Sequence, residues 1–117
     1  EQEMAVAPKV FRVYFGFDDA SLSAAAMTTV NAANRYAASL DTNRVVVNGY
    51  TDSSGSNDYN QRLAMRRANA VAAAMQSGGV ANEDLFVNAF GEEDLAVETA
   101  DGVREAWNRR VEIIITN

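Results

Sequence analysis

Two polar side chains, Asn60 and Arg67, stand where a buried helix face should be apolar. At about 100° per residue, Asn60, Leu63, Ala64, Arg67, Ala68, Val71 and Met75 fall on one arc of the helix expected from about Asp58 to Ser77. Arg62, Arg66, Asn69 and Gln76 fall on the other arc. Seven residues separate Asn60 from Arg67, which leaves them only about 20° apart around the axis. A guanidinium turned inward must find an anion, because an unpaired buried charge costs several kcal/mol. The candidate that the sequence offers is Asp52, at the turn leading from an apolar run into this helix. Two readings are open at this point: an internal Arg67–Asp52 pair with no further purpose, or a fixed cation and a fixed anion set close together in a binding site.

What the chain lacks narrows the chemistry. With no cysteine and no histidine, disulfides, thiolate nucleophiles, serine-type triads, histidine bases and most zinc sites are excluded, and no motif asks for a cofactor. Asp18 and Asp52 could be the paired carboxylates of a glycosidase. A neighbouring guanidinium lowers a carboxyl pKa rather than raising it, however, which removes the general acid; a binding domain, not an enzyme, is expected. The loop from Asp52 to Asp58 is rich in Ser, Asn and Asp, yet Asn57 stands where a calcium loop has its glycine and Leu63 where it has its bidentate glutamate. No metal is therefore expected. Sixteen acidic residues against ten basic give a net charge of −6, which disfavours nucleic acid as a partner. No run approaches the roughly 18 apolar residues of a spanning helix and no signal peptide opens the chain, so it reads as soluble, with any membrane link lying upstream.

Two strand–helix units and two further strands must position these residues. Glu1 to Lys9 carries the only proline and reads as a tail or linker end, with residues 10–117 as one domain. Val10 to Phe17 is β-branched and aromatic, hence a strand. Asp18-Asp19-Ala20-Ser21 supplies turn and cap residues before a helix over Leu22 to Leu40, with Leu22, Ala26, Val30, Ala33, Ala37 and Leu40 as its stripe. Arg44 to Tyr50 contains Val45-Val46-Val47 and reads as a strand buried on both faces. The second helix ends at Gly78-Gly79, residues suited to a left-handed cap. Leu85 to Phe90 is a short third strand, Gly91 to Gly102 is acidic and irregular, Val103 to Asn108 makes a turn of helix, and Arg110 to Thr116 is the last strand. The order β-α-β-α-β-(short α)-β implies an α/β (α+β) two-layer sandwich, a mixed four-stranded sheet with two long helices on one face. Val10 to Phe17 and Arg110 to Thr116 are both apolar enough for central places in it.

Five ordered motifs then carry a resemblance: Val13-Tyr14-Phe15-Gly16-Phe17-Asp18, Gly49-Tyr50-Thr51-Asp52-Ser53-Ser54-Gly55, Tyr59-Asn60 with Leu63 and Arg67-Ala68, Gly91-Glu92, and Asn108-Arg109-Arg110-Val111-Glu112. Their order and spacing, from Val10 to Thr116, resemble the OmpA-like C-terminal domain shared by outer-membrane OmpA proteins, the lipoprotein Pal and the stator protein MotB. The resemblance implies non-covalent binding of peptidoglycan in the periplasm of a Gram-negative bacterium, through the diaminopimelate residue of the peptide stem. It also implies roles for particular residues: Asp52 holds the ligand's ammonium, Arg67 its carboxylate, and Thr51 and Asn60 complete the hydrogen bonds, with Asp18 and Arg109 as looser matches. Asp18 has an alternative use as a cap on the first helix, and one of Arg109 and Arg110 has an alternative as a solvated strand-edge charge. Gly16, Tyr50 and Ala64 depart from the family pattern, which more often has aspartate, histidine and serine there; Gly16 and Tyr50 are expected to flank the pocket. A second reading of the family is a periplasmic protein-interaction module, with the acidic Glu92-Glu93-Asp94 and Glu98 stretch as its contact face.

Overall fold

The computed structural model describes residues 7–40, 43–93 and 95–117. Most of the expected tail, Glu1 to Val6, and Asp94 of the acidic stretch lie outside the described residues. The elements are β1 (Lys9–Tyr14), α1 (Ala24–Ala38), β2 (Arg44–Tyr50), α2 (Asn57–Ser77), β3 (Leu85–Gly91) and β4 (Arg110–Thr116), with short 3-10 turns at Asn82–Asp84 and Ala106–Asn108. The sheet is mixed and runs β1-β4-β2-β3. β4 pairs antiparallel with both β1 and β2, and β2 pairs parallel with β3. The two-layer α+β architecture is as expected, and α2 keeps the expected inward arc: Asn60, Leu63, Ala64, Arg67, Ala68, Val71 and Met75 are all buried.

Three local expectations change. β1 is an edge strand, not a central one, because the chain leaves a gap between β1 and β2 that β4 fills. Lys9 and Arg12, exposed on β1, are the charges an edge strand tolerates. β2 is not buried on both faces: Val45, Val47 and Gly49 lie under the helices, while Val46 and Asn48 on the other face are only half-buried. Both helices cover one face, and a single core joins Val30, Ala33 and Ala37 of α1 to Val71 and Met75 of α2 over Val13, Val45, Val47, Val111, Ile113 and Ile115. Finally, α1 is capped by Ser23, whose side chain accepts from the Ala26 N–H, so Asp18 is not its cap.

Two glycines set how the second helix lies. α2 ends in a Schellman arrangement: Val80 N donates to Met75 O and Gly79 N to Gln76 O, with Gly79 at φ 110°. Midway along its length α2 crosses β2 so closely that a Cβ on Gly49 would run into the Ala64 carbonyl oxygen and press within 3.1 Å of the Ala68 Cβ. That close approach brings Arg67 onto the C-terminal end of β2.

Candidate functional site

Arg67 is fully buried, with 0% of its surface exposed. It does not pair with Asp52. Three of its five N–H donors go instead to backbone carbonyls: Nε to Asp19 O at 2.8 Å, Nη2 to Gly16 O at 3.0 Å and Nη1 to Tyr50 O at 3.2 Å. Two of those carbonyls are supplied by a tight turn in which Asp19 N donates to Gly16 O. The turn demands a positive φ at its third position, and Asp18 sits there at φ 53°, alone in that region among the described non-glycine residues. Such outliers collect at functional sites because the surrounding structure must hold them. Burial drives the Arg67 pKa down to about 10; the charge of Asp52 opposes that fall, Arg109 adds to it, and Asp19 and Asp18 oppose it. The guanidinium therefore remains charged at neutral pH.

Asp52, buried to 3% exposure, is held by its own loop and by the segment that precedes β4. Oδ1 accepts from Ser54 Oγ at 2.6 Å and Ser54 N at 3.2 Å, and Oδ2 accepts from Glu105 N and from Arg109 Nη1, both at 3.2 Å. Burial pushes its pKa up, but the bonds from Ser54, Glu105 and Arg109 outweigh it and hold the carboxyl below the usual aspartate value. Arg109 is clasped to the end of β1, its Nε donating to Phe15 O at 3.1 Å and its carbonyl accepting from Phe15 N at 2.9 Å. Arg110 turns the other way, onto the open face of the sheet. It is buried rather than solvated, bonded to Glu112 at 2.8 Å and stacked 4.0 Å over Tyr50.

These groups border one cavity of about 270 Å³, lined by Phe17, Asp18, Asp52, Ser54, Gly55, Tyr59, Asn60, Leu63, Arg67 and Arg109. Its size, near the lower limit for ligand pockets, suits a single amino-acid-sized group. Five of the six residues picked out by sequence, Asp18, Asp52, Asn60, Arg67 and Arg109, meet there. Thr51 does not line it: its N–H donates to Gly91 O at 2.7 Å, and its hydroxyl is buried with no hydrogen-bond partner among the described residues. Asn60 gives its side-chain N–H groups to Gly55 O and Glu92 Oε1, both at 3.1 Å, so Glu92 of the acidic stretch belongs to the site's support while Glu93 and Glu98 stay exposed. Neither Gly16 nor Tyr50 supplies a wall. The Tyr50 ring stacks on Phe90 at 5.4 Å, beneath Arg110 on the far face of the sheet. Tyr59 and Leu63 add apolar walls that the charge pattern alone does not single out; the i, i+4 steps from Tyr59 to Leu63 to Arg67 put them on one face of the helix. Among the described residues, no group of three metal-ligating side chains converges.

The fold and this cavity define a small α+β domain whose pocket presents both signs of charge. The sequence profile of the OmpA family matches residues 14–109, and the chain belongs to that family. It is 35% identical over 113 residues to an outer membrane protein of Gluconacetobacter diazotrophicus, covering 92% of this chain and 30% of that protein. It is 37% identical over 100 residues to a peptidoglycan-associated lipoprotein of Legionella pneumophila, covering 86% and 57% respectively. The chain thus spans from under a third to little over half the length of these curated relatives. Among solved structures, the OmpA-like domain of FopA1 from Francisella tularensis superposes with a TM-score of 0.83 at 25% identity, over 93% of this chain and 72% of that one.

Proposed function

We propose that this domain binds peptidoglycan without cleaving it, by taking the diaminopimelate residue of a peptide stem into the Asp52–Arg67 pocket, and so ties an outer-membrane or envelope protein to the wall on the periplasmic side. Support at the coarser level comes from the Legionella relative, which is named for its association with peptidoglycan. The finer reading rests on one observation: two carboxylates, Asp18 and Asp52, and two guanidiniums, Arg67 and Arg109, border a single cavity of residue size. A diaminopimelate end carries an ammonium and a carboxylate, and a zwitterion needs this pairing of poles. Asp52 already accepts four hydrogen bonds, about the capacity of a carboxylate. The Asp18 carboxylate makes no hydrogen bond or ion pair with any described residue. The ammonium therefore sits between the two, with Asp18 as the free acceptor and Asp52 as the buried charge behind it. The carboxylate takes the two donors left on Arg67 and those left on Arg109, a planar match that an ammonium side chain cannot reproduce. Co-sedimentation with purified sacculi tests the reading: the soluble domain should be depleted and no muropeptide released. A domain that stays in the supernatant, or muropeptides above a protein-free control, would contradict it.

A further inference from the structure

Between Gly91 and Asn108 the chain carries six acidic residues and a single basic one, Arg104. Its guanidinium pairs with no described carboxylate. It lies instead on the Phe17 ring, 3.6 Å from the centroid. Phe17 lines the cavity and is still 46% exposed, so its ring belongs to the mouth. A cation set among acidic neighbours has thus been turned toward the pocket wall.

The main chain on either side of Arg104 is fixed to the loop that carries the pocket's buried anion. One position after it, the Glu105 N–H donates to Asp52 Oδ2 at 3.2 Å. One position before it, the Val103 carbonyl accepts from Ser53 Oγ at 3.5 Å, and Gly102 N donates to Ser53 O at 2.7 Å. Backbone and side chain therefore both place Arg104 at the rim. A guanidinium laid on an aromatic face is held by the ring, while its N–H groups, which lie in its own plane, stay open at the edge. Donors positioned in this way lose little further entropy when an anion binds them.

We propose that Arg104 binds a second carboxylate of the stem, the free one on the isoglutamyl residue that precedes diaminopimelate, and so makes the domain prefer stems in which that group is not amidated. The proposal rests on the reading that the pocket takes the diaminopimelate residue. That residue enters by the end that carries its free ammonium and carboxylate, so its other end, still part of the stem, emerges at the mouth. The preceding residue is joined to it through a side-chain carboxyl. Its α-carboxylate is left free, no more than about 7 Å, or two residue lengths, from the joining amide. The terminal D-alanine carboxylate offers the same chemistry, but cross-linking of the stem consumes it, whereas the isoglutamyl carboxylate survives cross-linking.

Calorimetric titration with three diaminopimelate tetrapeptides tests this role: the parent stem, one amidated at the isoglutamyl α-carboxylate, and one amidated at the terminal D-alanine. The parent and the D-alanine amide should bind alike. The isoglutamyl amide should bind about three- to five-fold more weakly, the scale of one exposed charge pair, and the difference should shrink as salt is raised. Arg104→Gln should bind the parent and the isoglutamyl amide equally, with the affinity that the wild type has for the amide, and Arg104→Lys should keep part of the preference. Arg44→Gln removes another exposed cation on a ring, over Phe86 at the far end of β2, and should keep the whole of it. Equal affinity of the wild type for the parent and the isoglutamyl amide, a difference that survives Arg104→Gln, or a loss confined to the D-alanine amide would each overturn the role of Arg104 while leaving the pocket reading intact. Failure of all three peptides to bind would overturn the pocket reading, and the role of Arg104 with it.

Discussion

Replacing Arg67 should damage folding as well as binding, in graded steps that the structure sets. The guanidinium ties the turn at Gly16 and Asp19 to the end of β2 at Tyr50 through three bonds of 2.8 to 3.2 Å. A hydrogen bond to a charged group contributes about 1.5–3 kcal/mol. Arg67→Lys keeps the charge but concentrates its donors at one point, so it cannot serve carbonyls on two separate segments; losing at least one bond should cost about 2–3 kcal/mol. Arg67→Ala removes all three, leaves those carbonyls short of a donor and opens a cavity, for which at least about 3 kcal/mol is expected. Denaturant unfolding should rank wild type above Arg67→Lys above Arg67→Ala, and the folded Arg67→Lys protein should still bind stem peptide at least about ten-fold more weakly, a loss of about 1.4 kcal/mol. If Arg67→Ala unfolded within about 0.5 kcal/mol of wild type, the ordinary range for a surface change, the guanidinium would not be what joins these segments.

Other perturbations separate the parts of the account. Arg62→Ala, on the exposed arc of α2, should leave peptide affinity unchanged in calorimetry; a loss equal to that of Arg67→Lys would mean a diffuse basic surface binds the wall. Gly49→Ala should lower stability by about 1–3 kcal/mol in chemical denaturation, because its Cβ meets the Ala64 backbone. Asp52 has a folded pKa below the ordinary 3.8, so the unfolded chain binds more protons between the two values. Its contribution to stability is complete above the unfolded pKa and is lost as pH falls through the folded one. Acid unfolding curves of Asp52→Asn should accordingly be flatter than wild type below about pH 4.

The local elements were legible because short-range physics decides them. The 3.6-residue stripe from Asn60 to Met75, the Val45-Val46-Val47 run and the Ile113-Ile114-Ile115 run each specify their element without outside help. The central place of β4 was legible, but the edge place of β1 was not, since edge and central strands of similar composition differ only in their long-range pairing. The charges of the site were legible as residue types, but their partners were not. Arg67 is satisfied by backbone carbonyls, which every residue carries and no sequence pattern advertises. Asp52 is satisfied by Arg109, 57 positions away, through a loop whose course depends on Asn108 and on Ser53 bonding to Ala100 O. Asp18 was visible as a turn residue, whereas the positive φ that turns it toward the cavity became visible only with the turn itself.

Specificity for the ligand's carboxylate tests the central claim most directly. Calorimetric titration of the domain with two stem peptides, identical except for diaminopimelate or lysine at the third position, compares a ligand with both poles against one that keeps the amine and lacks the terminal carboxylate. The lysine peptide should bind at least about ten-fold more weakly, through the loss of one charge-assisted contact at Arg67 and Arg109. Equal affinity for the two peptides would contradict it and leave Arg67 as a structural clamp between the Gly16–Asp19 turn and β2.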